Sequence, residues 1–122
     1  MEYTIITNNP LVKENYSNVL FIEGSVKDVL ISTRNSLHEG GKLLTHPLGA
    51  SLRMLLSPYR SIVVSLEKSN IDLNHLDIIE SSIIKYNQHM EVRKEDSTHG
   101  KDYSIIDLTL LDSACEELSR FS

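Results

Sequence analysis

Apolar stretches in the first half of the chain each break off into a polar, turn-forming tail. Residues 3–6 run into Thr7-Asn8-Asn9-Pro10, residues 19–22 into Glu23-Gly24-Ser25, and residues 42–44 into Thr45-His46-Pro47. Read as neighbouring parallel strands, these stretches send all three tails to one edge of a sheet. In open α/β sheets that edge is where ligands bind.

The elements follow from residue type and spacing. Tyr3-Thr4-Ile5-Ile6-Thr7 is β-branched and aromatic, which predicts a strand. Asn9 then suits an N-cap and Pro10 a first helical position, so a short helix is expected from residue 10 to about residue 17. Val19-Leu20-Phe21-Ile22 has no polar alternation, as in strands covered on both faces. Ser25 caps a helix reaching residue 39, with Val26, Val29, Leu30, Thr33 and Leu37 on one face and Gly40-Gly41 as its stop. Residues 42–45 and 61–66 are expected to be a third and a fourth strand. Between them, Leu48, Leu52, Leu55 and Leu56 line either a short helix or a loop pinned to the sheet.

A second helix-period stripe, Leu76, Ile79, Ile83, Tyr86 and Met90, predicts a helix capped by Asn74. Ile78 and Ile84 lie off that stripe, towards a neighbour or a partner. Residues 93–102 hold no apolar side chain and read as an exposed loop. From residue 104 to 121 the helical period returns through Leu110, Leu111, Ala114, Leu118 and Phe121. Asp107 either caps a helix after a fifth strand or sits inside one longer helix, the preferred reading. The alternation of strand and helix predicts a single α/β domain over residues 1–122. Its expected form is three-layered, a mostly parallel sheet of four to five strands flanked by helices, Rossmann-like or flavodoxin-like.

Composition narrows the function classes. The formal charge is −5 and Trp is absent, which argues against a nucleic-acid-tracking surface. The longest apolar run is four residues, far below the ~20 that a membrane helix needs. No basic and apolar leader follows Met1, so the expectation is a cytoplasmic protein. A single cysteine, Cys115, leaves no internal disulfide, CxxC pair or multi-cysteine metal site.

The shared edge gathers the candidate ligand-binding residues Thr7, Asn8, Asn9, Glu23, Ser25, Thr45, His46 and Ser51. Helix starts after Asn9 and Ser25 would aim free N–H groups at an anion, although Asn and Ser there also serve simply as caps. His46 is the one candidate catalytic residue, as a general acid or base. Its other role is a histidine that holds a loop, and Asp107 or Glu23 would be the carboxylate to orient it. Arg53 and Arg60 either reach an anion at this edge or are solvated surface charges.

Sharper motifs are absent. Gly49-Ala50-Ser51-Leu52-Arg53 lacks the second glycine of a nucleophile elbow. Gly40-Gly41-Lys42 lacks both the earlier glycine and the following Ser or Thr of a phosphate loop. His75 and His89 on one helix lie roughly 21 Å apart at about 1.5 Å per residue, too far to share a metal. No cofactor and no metal site is expected.

Several segments, taken together, resemble one family. They are Thr7-Asn8-Asn9-Pro10, Phe21-Ile22-Glu23-Gly24-Ser25, Lys42-Leu43-Leu44-Thr45-His46-Pro47-Leu48, Ser57-Pro58-Tyr59-Arg60-Ser61 and Ile106-Asp107-Leu108. In this order and spacing they look like the GrdX family. Its members are small proteins associated with the glycine, sarcosine and betaine reductase systems of amino-acid-fermenting bacteria. The resemblance implies a cytoplasmic accessory protein, with reductase subunits as partners, and no catalytic residues to carry over. The leading expectation is a non-catalytic accessory or small-ligand-binding protein. The alternative is a small enzyme acting on an anionic metabolite, with His46 as acid/base at the C-terminal edge of the sheet. Nothing in the residues fixes an oligomeric state.

Overall fold

A computed structural model describes residues 2–49, 55–96 and 98–120. Its elements in chain order are β1 (Tyr3–Thr7), α1 (Pro10–Asn15), β2 (Val19–Phe21), α2 (Val26–His38), β3 (Ser61–Ser65), α3 (Leu73–Val92) and α4 (Gly100–Arg120). Among the described residues the sheet has three strands in the order β2-β1-β3. β1 pairs parallel with β2, and antiparallel with β3 in the register Thr7↔Ser61 to Tyr3↔Ser65.

The expected mostly parallel sheet of four to five strands, Rossmann-like or flavodoxin-like, is therefore incorrect: the sheet is small and mixed. The error has a physical cause. Ile62, Val63 and Val64 are all buried because helices cover both faces of β3. An unbroken apolar run reports that coverage and carries no information about strand direction.

Residues 42–45 also differ from expectation. They touch β3 through one antiparallel bridge, Leu43↔Val64. Leu44 N donates to Val63 O and Ser65 N to Lys42 O. Beyond these, side chains replace the ladder: Lys42 N donates to Ser65 Oγ and Val63 N to Thr45 Oγ1. The segment runs in the same direction as β1 but lies outside β3. At the opposite edge, Leu20 of β2 is about half exposed, so that strand is not covered on both faces.

Alternation along the strands divides the core. Ile6, Ile62 and Val64 pack with α2 and α3 through Val26, Val29, Leu30, Leu37, Ile79, Ile83 and Tyr86. Leu48 and Leu55 join this cluster. Leu52 lies outside the described residues. Ile5 and Val63 face the other way, onto Val12 of α1 and Leu111 and Cys115 of α4.

The caps explain where the helices begin. Asn9 accepts from Leu11 N ahead of Pro10. Ser25 and Asp28 form a reciprocal capping box on α2. α3 starts earlier than expected, because Asp72 rather than Asn74 is the cap and accepts from Asn74 N and His75 N. α4 is the longer helix, with Asp107 buried in its interior. No described helix is long and apolar enough to cross a membrane.

Candidate functional site

The C-terminal ends of β1 and β2 and the far end of residues 42–45 lie at one rim, where β3 begins. The pairings Thr7↔Phe21 and Thr7↔Ser61 and the bond from Val63 N to Thr45 Oγ1 fix this arrangement. Two different things happen there. One group of polar residues locks the rim together, and another lines an open cleft.

Asn8 is the lock. Its Nδ2 donates to Gly24 O at 3.0 Å and to Pro58 O at 2.8 Å, and its Oδ1 accepts from Arg60 N at 2.9 Å. The side chain thus ties the loop before α2 to the loop before β3, using both donors and its acceptor. Asn9 is equally committed. Besides capping α1, its Nδ2 donates to Ser104 O at 2.9 Å and to Asp107 Oδ2 at 3.0 Å. α4 is thereby fastened to the end of β1.

Proton counting orients the hydroxyls. Thr7 Oγ1 accepts from Asn9 N at 3.0 Å and lies 2.7 Å from Ser61 Oγ. Ser61 gives its hydrogen to Asp107 Oδ2, also at 2.7 Å. Ser61 has one hydrogen, so Thr7 must donate to Ser61. The result is a relay, Asn9 N–H to Thr7 O–H to Ser61 O–H to the carboxylate, with every dipole aimed at Asp107.

The cleft lies beside this relay and measures about 460 Å³. Thr45, His46, Gly49, Arg60, Ser61 and Asp107 contribute its polar lining, and Leu110, Leu111 and Ala114 of α4 its apolar wall. Arg60 is 3% exposed and Asp107 5%. Arg60 Nη1 donates to Leu48 O at 2.9 Å, which holds the guanidinium in place. Burial lowers the Arg60 pKa, and the charges of Asp107 and Tyr86 oppose that shift. An arginine stays charged regardless. Burial also pushes the Asp107 carboxyl above the usual carboxylate range. Bonds from Ser61 and Asn9 and the charge of Arg60 pull it back, but burial prevails.

His46 is exposed at the mouth. Its Nδ1 accepts from Leu48 N at 3.1 Å, so the neutral ring carries its hydrogen on Nε2.

The sequence-predicted residues thus separate. Thr45 and His46 line the cleft. Thr7, Asn8 and Asn9 are buried in the locking network beside it. Ser25 is exposed and engaged in its capping box, and Glu23 is exposed in the same loop. Ser51 and Arg53 lie outside the described residues. Arg60 is buried rather than a solvated surface charge. Ser61, Leu110, Leu111 and Ala114 join the site without a motif to mark them. The signal that could find Arg60 and Ser61 is their position at the head of β3, whose three central residues are apolar and buried, where a charge has to serve some purpose. Among the described residues, no group of three or more His, Cys, Asp or Glu side chains is placed to hold a metal ion.

No curated protein and no solved structure matches the chain. The family model for GrdX-like protein matches residues 4–116, nearly the whole length and both halves of the rim. The chain belongs to the GrdX-like protein family.

Proposed function

We propose that this protein is a cytoplasmic, non-catalytic accessory protein of the glycine, sarcosine and betaine reductase system, and that it binds a small ligand. The observation that carries this reading is the cleft itself. A buried guanidinium and a buried carboxylate line an apolar-walled space of about 460 Å³. That is within the range of small-molecule sites, which pair apolar walls with a few fixed polar groups. Arg60 supplies the counter-charge for an anionic group. The net charge of −5 argues against nucleic acid as a macromolecular partner, and the family membership points to reductase subunits instead.

The bonding of His46 supports binding over catalysis. A histidine base is ordinarily oriented by a carboxylate that accepts from Nδ1–H. Here Nδ1 itself accepts from a backbone N–H. Among the described residues no carboxylate accepts from the ring.

A thermal-shift series with glycine, sarcosine, betaine and phosphate tests the ligand, because binding to the folded state raises apparent stability. The expected result is a concentration-dependent rise that disappears in Ala114→Leu, which fills the cleft from α4. A shift that survives this substitution would place the ligand elsewhere. Co-purification with reductase subunits tests the accessory role separately. Turnover of an anionic metabolite that is lost in His46→Ala would replace this reading with an enzymatic one.

A further inference from the structure

The chemistry of the cleft specifies a ligand class, an inference that rests on the ligand-binding reading above. We infer that the cleft takes a free α-amino acid with a small aliphatic side chain, its carboxylate on the Arg60 side and its ammonium on the Asp107 side.

Two opposite charges share one small space. Burial works against the charged form of both groups, and each charge opposes that effect on the other: Asp107 favours the charged form of Arg60, and Arg60 favours the carboxylate form of Asp107. A simple anion entering the cleft gains Arg60 and is repelled by Asp107. A simple cation gains Asp107 and is repelled by Arg60. A zwitterion gains both, and its own two charges arrive already balanced. Both protein groups are held before any ligand arrives. Arg60 is fixed by Leu48 O, and Asp107 Oδ2 by Asn9 and Ser61. Such preorganisation lowers the entropic cost of binding.

The lining narrows the class further. Asp107 recognises an ammonium by accepting N–H hydrogens, which a quaternary nitrogen lacks. Quaternary ammonium groups are ordinarily held against Trp, Tyr or Phe faces, and no Phe, Tyr or Trp lines this cleft among the described residues. Leu110, Leu111 and Ala114 offer an aliphatic surface, which suits an aliphatic side chain. The donor that His46 keeps on Nε2 sits at the mouth, where a second contact to the carboxylate is available.

Isothermal titration calorimetry on the whole chain tests this. The panel is glycine, alanine, valine, trimethylglycine, acetate, methylammonium and inorganic phosphate. Alanine or valine should bind at least tenfold more tightly than acetate or methylammonium, and glycine at least tenfold more tightly than trimethylglycine. Ala114→Leu should weaken alanine binding tenfold or more with an unchanged circular-dichroism spectrum. This variant matters because Asp107→Asn alters a buried network. Acetate or phosphate binding as tightly as alanine would overturn the amino-acid inference while leaving a ligand-binding protein. Trimethylglycine equal to glycine would do the same. No heat with any compound would overturn both readings.

Discussion

Ser61 donates its hydroxyl hydrogen to Asp107 Oδ2 at 2.7 Å, and this bond joins the first residue of β3 to the interior of α4. It ends a relay that starts at the backbone of Asn9. A carboxylate buried in the middle of a helix is costly unless its oxygens are bonded. Asp107 is supported by residues contributed from β1, its following turn and β3, so the rim and α4 depend on one another.

Removing the carboxylate should therefore hurt more than neutralising it. Asp107→Ala leaves the Asn9 amide and the Ser61 hydroxyl short of an acceptor, at roughly 1–3 kcal/mol for each group. Asp107→Asn keeps an acceptor oxygen and removes the buried charge. Burial raises the folded-state pKa of Asp107. Its contribution to stability is thus fully present below the unfolded value of about 3.9 and is lost as pH rises through the folded value. Urea unfolding at several pH values between about 4 and 7 checks this. Relative to Asp107→Asn, the wild type should lose stability as pH rises. A constant difference between the two would show that Asp107 does not titrate differently on folding.

Asn8 should be close to irreplaceable. Asp at this position matches its shape but loses both donors to Gly24 O and Pro58 O. Gly24 is exposed and Pro58 half-buried, so each lost bond costs roughly 0.5–1.5 kcal/mol. A loss of about 2 kcal/mol for the two together lowers the melting temperature of a chain this size by roughly 8 °C. The melting curve of Asn8→Asp against wild type is the measurement. A change below about 2 °C would mean that water satisfies the loop carbonyls and that the lock is not structural.

Helices are more legible in this sequence than sheet topology, for physical reasons. Each residue of the α2 stripe, Val26, Val29, Leu30, Thr33 and Leu37, is buried as its spacing predicts, because a helix encodes its buried face locally. The same holds for the core of α3, Ile79, Ile83 and Tyr86. On α4 the buried face is turned from the expected stripe by part of a turn. Leu111 and Cys115 are buried, whereas Leu110 is about half exposed. Strand direction stays hidden because it depends on where the chain returns from, and the long stretch between α2 and β3 leaves that open. The rim is legible from the turn residues that close each strand. The cleft is not, since Arg60, Ser61 and Asp107 meet only once α4 docks.

Gly40 marks a position where the backbone needs glycine. Its φ is +100°, and an added Cβ would lie 2.1 Å from Ser69 O. That oxygen belongs to the backbone and has no rotamer to change. Gly40→Ala should destabilise by roughly 1–3 kcal/mol, from backbone strain before the collision is counted. Gly100→Ala is the control. An added Cβ there would meet nothing within 4 Å, and the residue begins α4. It should be neutral or stabilising by up to about 1 kcal/mol. Equal effects in chemical denaturation would remove the Ser69 contact as the cause.

Asp96 and His99 form an exposed pair at 2.7 Å ahead of α4. The carboxylate holds the His99 imidazole above its ordinary pKa through a hydrogen bond and its charge. In return, His99 holds Asp96 below the usual carboxylate range, with the Thr98 backbone N–H assisting. The signs define a window. The His99 contribution is full below its unfolded pKa, about 6.5, and fades as pH rises through the raised folded value. The Asp96 contribution is full above about 3.9 and fades as pH falls through the depressed value. The pair therefore supports the turn into α4 between roughly pH 4 and 6.5 and weakens on either side. Both groups face solvent, so salt should weaken the effect. An NMR titration of the His99 ring protons reads it directly. The midpoint should fall to the ordinary histidine range in Asp96→Asn and move towards it in concentrated salt. An identical midpoint in wild type and Asp96→Asn would mean that the contact does not persist in solution.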